Sequence, residues 1–319
     1  FIRENSLAIT KISELYLKVG DIGNSWSFLC KFGIEPMNSE LKNELVRIME
    51  ITKFDSKSFL DFDGEDSSVW IPELVTKEIM RTGKKRKSVR KKTPKCHLIT
   101  SSLNRGGAER QVALTMKYIS SDERFDCSLV VQSIKNRKGT GTFAEDLSEQ
   151  SEKIFQLDEI NYDISGINKL NEEYADLLGL LNNNTKERIL RLIHHFTEHS
   201  PDLVHAWQDD TILTTSLAAA ITGIPKVIGS ARSLRPDKKT SLHIRKRPYL
   251  RNCFRVIFGD SVHELSTNSK AGKSSYSEWI GIEKNKIFVI ENGVDFEGME
   301  RSKLNSDIEE KLTKIGVKK

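Results

Sequence analysis

Residues 96–119 read CHLITSSLNRGGAERQVALTMKYI, and this stretch decides the fold. Cys96–Ser102 is a short apolar run that ends in small polar residues. Asn104–Gly107 (NRGG) is a turn, and Ala108, Val112, Leu114, Met116 and Ile119 then recur at helical spacing. Strand, glycine loop and helix in that order are the first unit of a wound α/β sheet. Further strand candidates follow at Cys127–Val131, Ile154–Leu157, Leu203–Ala206, Lys226–Ser230, Arg255–Phe258 and Ile287–Ile290. Helical patterns lie between them at Lys186–His199 and at Thr211–Thr222, the latter closed by Gly223 and Pro225. A basic helix is expected between Ser230 and Arg255, and Ser261–Ile280 reads as largely helical. Short β-rich runs alternating with helices predict a doubly wound, Rossmann-like parallel sheet covered on both faces. Ligands of such sheets sit at the carboxyl ends of the strands.

Upstream of Cys96 the texture differs. Residues 1–82 predict a small all-α region: Ile9, Ile12, Leu15, Tyr16 and Val19 share a helical face, and further amphipathic runs stop at glycines. Short helix pairs of this kind suggest a tetratricopeptide-like extension, with an irregular helical extension as the alternative. Asp61–Asp66 (DFDGED) lacks the ligand spacing of a calcium loop and reads as a solvated turn. The expected organisation is therefore a helical extension over 1–82, a linker over 83–95, the α/β domain over 96–296 and a connecting segment over 297–319.

The net charge of +5 is local. Lys84–Lys95 carries eight basic residues and no acid, and removing those eight leaves −3 for the rest of the chain. So dense a block of like charge predicts an extended linker. Contact with anionic lipid or with nucleic acid is compatible with it, but no aromatic residues for base stacking are interleaved, which disfavours nucleic acid. No run approaches the roughly 18–20 apolar residues of a membrane span. Cys30, Cys96, Cys127 and Cys253 are scattered without a CxxC, so neither a metal site nor a disulfide framework is expected, and reduced thiols fit a cytoplasmic protein.

The strand-end loops should carry the chemistry. Gly106 and Gly107 precede a helix N-terminus, where backbone N–H groups and about half a positive charge favour an anion such as a diphosphate. The loop is neither a spaced dinucleotide fingerprint nor a P-loop, so NAD and ATP are disfavoured. His205, Trp207 and Gln208 end the strand after Pro201-Asp202. Arg232 to Arg251 holds eight basic residues against the single acid Asp237, the pattern of a solvated helix face or of a surface for anionic lipid or an acidic acceptor.

Four motifs, HLITSSLNRGGAERQV, PDLVHA (201–206), TNSK (267–270) and IENGVD (290–295), together resemble the family 4 (group 1) glycosyltransferases over about 200 residues. The resemblance implies the acceptor-side half of a GT-B fold. It implies transfer of a sugar, with retention, from a nucleotide-sugar donor such as a UDP- or GDP-sugar to a saccharide or lipid-linked acceptor. It also suggests work in cell-envelope or capsular polysaccharide synthesis, in the cytoplasm or at the inner face of a membrane. No further cofactor is implied. By this resemblance Gly106 and Gly107 approach the donor phosphates, Trp207, Gln208 and Arg235 face the acceptor, and His205 and Arg232 serve catalysis. Many relatives carry a histidine where this chain has Arg232, and arginine cannot act as a base. Arg232 would instead bind a phosphate or an anionic acceptor group. The family's second, donor-binding domain would follow Lys319, so these 319 residues alone are expected to be inactive. The reading from another class is a non-catalytic scaffold of helical repeats beside a lone Rossmann-like domain; a sugar-nucleotide epimerase of the same fold is a further alternative.

Overall fold

A computed structural model describes residues 67–84, 92–135, 142–159, 172–236, 249–259 and 262–294, with isolated helical positions at 11, 43 and 50. The helical runs expected before residue 67, most of the basic linker and the basic segment 237–248 lie outside the described residues, as does the connection after residue 294.

The elements in chain order are α1 (Ser67–Thr82), β1 (Lys95–Ser102), α2 (Gly107–Ile119), β2 (Asp126–Ser133), a 3-10 turn at Glu145–Lys153, β3 (Ile154–Gln156), α3 (Glu172–Gly179), α4 (Asn183–His199), β4 (Leu203–Trp207), α5 (Asp209–Thr222), β5 (Lys226–Ala231), α6 (Leu250–Phe258), β6 (Glu264–Thr267), α7 (Lys270–Ile280) and β7 (Ile287–Val289). The seven strands form one sheet in the order β3-β2-β1-β4-β5-β6-β7. Among the described residues every pairing between these strands is parallel, with Cys96 beside both Cys127 and Leu203, and Trp207 beside Ser230. This is the doubly wound α/β sheet that the alternating pattern predicts.

The period-2 alternation of the strands sorts their side chains into two cores. Leu98, Leu129 and Val131 face Val112 and Met116 of α2. Ile99, Val130, Val204, Ala206, Val227 and Ala231 face the other way, onto a larger core built with α4, α5 and α6. Helix α5 is buried nearly all round, from Thr211 to Ala219 without a break, so it carries no polar stripe. It ends where Gly223 takes φ 81, a left-handed cap open to glycine.

Two segments depart from the expectation. Arg255–Phe258, read as a strand, is the last turn of helix α6; Leu250, Cys253, Phe254, Ile257 and Phe258 are its buried residues, at the i, i+3, i+4, i+7, i+8 spacing of a helix face. Within Ser261–Ile280, read as helical, Glu264–Thr267 is strand β6, where Leu265 is the sole large apolar residue. A third finding concerns α1, which the sequence assigns to the extension. Its Ile71, Val75 and Ile79 lie inside the larger core, and it packs mainly on α6. Asn252 Nδ2 donates to Glu73 Oε2 at 2.7 Å and Tyr174 Oη donates to the Thr82 carbonyl at 2.8 Å. A Cβ at Gly83 would stand 2.8 Å from the Ala220 carbonyl oxygen, so the chain leaves α1 pressed against α5. Residues 71–82, expected in the helical extension, thus pack into the α/β unit.

Candidate functional site

The strand order turns between β1 and β4, and there the loops after those strands leave in opposite directions, which opens a crevice at their carboxyl ends. Gln208, the first residue after β4, has φ 73 and ψ 145. That region is almost closed to residues with a Cβ and costs of order 1–3 kcal/mol. The surroundings enforce it. Gln208 N–H donates to the Ser230 carbonyl at 3.1 Å and its own carbonyl accepts from Ile212 N–H at 2.9 Å. Next along, Asp209 Oδ1 accepts from Tyr276 Oη at 2.8 Å.

So held, the Gln208 side chain spans the crevice. Its Oε1 accepts from Ser101 Oγ at the end of β1, and its Nε2 donates to Glu109 Oε1 at 2.8 Å. Ser102 Oγ also reaches Glu109 Oε1, at 3.4 Å. Glu109 lies in the first turn of α2, where the helix dipole favours a carboxylate. Gly106, the N-cap of α2, has φ −147 and ψ 169, an extended conformation open to any residue. What the glycine supplies is room, since a Cβ there would stand 2.4 Å from Glu109 Oε2. A Cβ at Gly107 would meet nothing within 4 Å, so the space before it is open.

His205 sits on β4, partly buried, in a proton chain that runs across three strands. Its Nε2 is 2.8 Å from Ser230 Oγ, which is 2.6 Å from Ser266 Oγ, which donates to the Gly229 carbonyl at 3.2 Å. With Ser266 Oγ donating to that carbonyl, Ser230 Oγ donates to Ser266 Oγ, and His205 Nε2 is the nitrogen that donates to Ser230. Burial, with the Arg232 charge second, pushes the His205 pKa down to about 4, so the ring is neutral at neutral pH.

Arg232, one residue past β5, lays its guanidinium 4.6 Å from the centroid of the Trp207 ring, a cation–π contact. It also donates to Asn292 Oδ1 beyond β7. Burial pulls its pKa below the ordinary arginine value. Arg232 Nε and Trp207 Nε1 are both buried without a hydrogen-bond partner among the described residues. On the opposite wall, Gln111 of α2 pairs with Gly293, donating to its carbonyl at 2.9 Å and accepting from its N–H at 2.7 Å. Residues 290–294 thus run back from the sheet edge over the strand ends and are tied to both sides of the crevice.

Of the residues expected at the site, Gly106, Gly107, His205, Trp207, Gln208 and Arg232 come together here. Arg235 reaches the same loops through its backbone, N–H to Ser275 Oγ at 3.0 Å, and among the described residues its guanidinium makes no hydrogen bond within the network. Glu109, Ser101 and Gln111 are additions. Glu109 had a signal in the sequence, an acid three residues into a helix behind two glycines. The pairing of Ser101 with Gln208, 107 positions apart, had none.

A match to Glycosyltransferase Family 4 covers residues 174–297, from α3 through the turn after β7. A curated relative, the Vi polysaccharide biosynthesis protein VipC/TviE of Salmonella typhi, is 26% identical over 211 residues, 62% of this chain and 36% of that protein. The chain therefore spans about a third of the length of that relative. Among solved structures, a lipopolysaccharide outer core galactosyltransferase, WaaB, aligns at a TM-score of 0.41 and 16% identity, over 63% of this chain and 46% of its own. A glycosyltransferase from Rickettsia africae aligns at 0.43 and 14%, over 71% and 50%. The UDP-GlcNAc 2-epimerase of Methanocaldococcus jannaschii aligns at 0.41 and 14%, over 70% and 54%. The half of the crevice built by β4, β5 and the turn after β7 lies within residues 174–297, the stretch that is similar to Glycosyltransferase Family 4.

Proposed function

We propose that the chain forms the acceptor-side part of a retaining glycosyltransferase. It would take a sugar from a nucleotide-sugar donor to a saccharide or lipid-linked acceptor in the synthesis of a cell-envelope or capsular polysaccharide. The observation that carries the reading is Gln208, a strained residue inside the family-matched stretch whose side chain joins β4 to β1 and α2 at the switch point. Strain of this kind persists where the surroundings over-determine it, and such places cluster at ligand sites. The kinship with a protein named for Vi polysaccharide biosynthesis supports a polysaccharide product.

In this reading Trp207 and Gln208 face the acceptor, and Arg235 lies at the rim of the same loops. Arg232, held over the Trp207 ring, presents a fixed positive charge to a phosphate or acidic acceptor group. With that donor order His205 keeps its proton on Nε2, toward Ser230, and Nδ1 is the nitrogen that can accept one. The peptide groups of Gly106 and Gly107 are the candidates for the donor phosphates. No helix among the described residues is long and apolar enough to cross a membrane, and the basic stretches at 84–95 and 232–251 are offered as the contact with an anionic membrane surface.

The test is transfer. Protein from the intact gene, supplied with labelled UDP- and GDP-sugars and lipid-linked acceptors, should release nucleoside diphosphate in step with a product that keeps the donor's anomeric configuration. Release of free sugar alone, or an epimerised nucleotide sugar, would replace the proposal with a hydrolase or an epimerase.

A further inference from the structure

The polar chain across the crevice has a direction and one open end. Ser101 Oγ donates to Gln208 Oε1, Gln208 Nε2 donates to Glu109 Oε1, and Ser102 Oγ turns to that same oxygen. Both side-chain donors that reach Glu109, Gln208 Nε2 and Ser102 Oγ, meet Oε1. Glu109 Oε2 has no protein donor among the described residues and is turned toward the Cα of Gly106, with the open space before Gly107 beside it. An ionised carboxylate oxygen only accepts, so its natural partner is an O–H or N–H donor. A phosphate brought to the same place would face a fixed negative charge a few ångströms away in a partly buried site, which is unfavourable.

We propose that Glu109 is a specificity-determining residue that accepts a hydrogen bond from a hydroxyl of the acceptor saccharide, with Gln208 as the positioning residue that aims it. The assignment rests on the glycosyltransferase reading and alters one part of it. The Gly106–Gly107 turn then makes room for Glu109 and for a sugar ring, and the group recognised beside it is neutral and rich in hydroxyls. The strained backbone of Gln208 follows from the same geometry. An ordinary φ at that position would swing the amide away from Glu109 and leave the carboxylate free to turn into solvent.

The full chain is titrated with two probes, a neutral disaccharide, N-acetyllactosamine, and inorganic pyrophosphate. Glu109→Gln keeps the shape and the bond from Gln208 but removes the charge, and it should weaken disaccharide binding by about tenfold or more, the usual worth of a hydrogen bond to a charged group. Gln208→Ala should weaken it to a similar degree through the loss of aim, and Glu109→Asp should restore part of what Glu109→Ala loses. Thermal midpoints of Glu109→Gln and the parent chain should differ by no more than the small contribution of a first-turn carboxylate to the helix, which separates recognition from folding. Disaccharide binding unchanged in Glu109→Gln, or absent from the parent chain, would overturn the assignment. So would tighter pyrophosphate binding by Glu109→Gln without loss of disaccharide, since the carboxylate would then only fend off an anion. Transfer measured in parallel keeps the two ideas apart. If Glu109→Gln transfers with an unchanged acceptor KM, this assignment falls and the glycosyltransferase reading stands; if protein from the intact gene transfers to no acceptor, that reading falls first.

Discussion

Gln111 and Gly293 stand 182 positions apart and are joined by two hydrogen bonds, one to each polar group of the Gly293 peptide unit. A side-chain amide has the same donor and acceptor as a backbone, so Gln111 acts as one rung of a missing ladder. Replacement by alanine should leave the fold intact, because the pair is exposed and such bonds are worth about 1 kcal/mol. Hydrogen exchange at the Gly293 amide should nevertheless quicken by about tenfold. Gln111→Glu retains the acceptor and should keep most of the protection. Equal exchange in all three proteins would show that the turn after β7 is held from elsewhere.

Arg232 over Trp207 gives a second measurable coupling. In a double-mutant cycle of Arg232→Ala and Trp207→Leu, read by urea denaturation, an interaction of about 0.5–2 kcal/mol is expected for a partly desolvated cation–π pair. Arg232→Lys should recover little of it, since a single ammonium cannot both sit over the ring and reach Asn292 as the forked guanidinium does. Additive single-mutant effects would mean that the contact is adventitious.

These two relationships mark the limit of what the sequence discloses. Local order was legible: Leu98 and Ile99 facing opposite ways in β1, or Gly223 closing α5, depend on neighbours in the chain. Helix α6 was misread at its last turn: Arg255–Phe258 reads as a strand until the spacing back to Leu250 and Cys253 is counted. Strand β6 gave almost no signal, because its neighbours bury Ser266 and Thr267 as readily as apolar residues. The membership of the crevice was partly visible through the family motifs. Its wiring was not. Ser101 meets Gln208, and Arg232 meets Trp207, only because β1 pairs with β4 and β4 with β5, and side-chain spacing along one strand says nothing about its neighbours. The burial of Ile71, Val75 and Ile79 of α1 was hidden for the same reason, across the basic linker.

At the foot of the sheet His97 and His195 are buried together, with His195 Nε2 3.0 Å from His97 Nδ1, and Phe155 and His199 packed beside them. Burial is the main cause that lowers their pKa values, His97 to about 4 and His195 to about 2. His199 and His194 push the same way, Lys95 adds to the effect on His97, and Asp126 opposes it. A depressed histidine pKa means that the unfolded chain takes up protons first as pH falls. Stability is therefore full above about pH 6.5 and is lost as pH drops from there toward 4. For His97 alone the loss amounts to roughly 3 kcal/mol. His205 and His263, each lowered to about 4, add to the slope. Urea melts between pH 7.5 and 4.5 should show the decline, and a His97→Leu/His195→Leu variant should show a shallower one. A variant with the parent's slope would place the pH dependence elsewhere.

Two glycines of the site's framework should respond in opposite ways to alanine. At Gly229 of β5 an added Cβ would stand 2.9 Å from Phe258 Cζ and 3.0 Å from Ile212 Cγ2, both fixed in the larger core. Gly229→Ala must push α6 or α5 off the sheet, and overpacking of that kind costs about 1–3 kcal/mol. The displaced element on the α5 side begins at Gln208, so acceptor recognition should weaken along with stability. At Gly107 a Cβ meets nothing within 4 Å, and alanine is the better helix former by up to about 1 kcal/mol in a helix interior, less at a first turn. Gly107→Ala should be neutral or slightly stabilising in a urea melt. Its effect on ligands is then free of any folding defect: weaker binding of substrate by a fully stable Gly107→Ala would show that the ligand uses the open space before that residue. Unchanged binding would move the ligand away from the head of α2, toward Trp207 and Arg232.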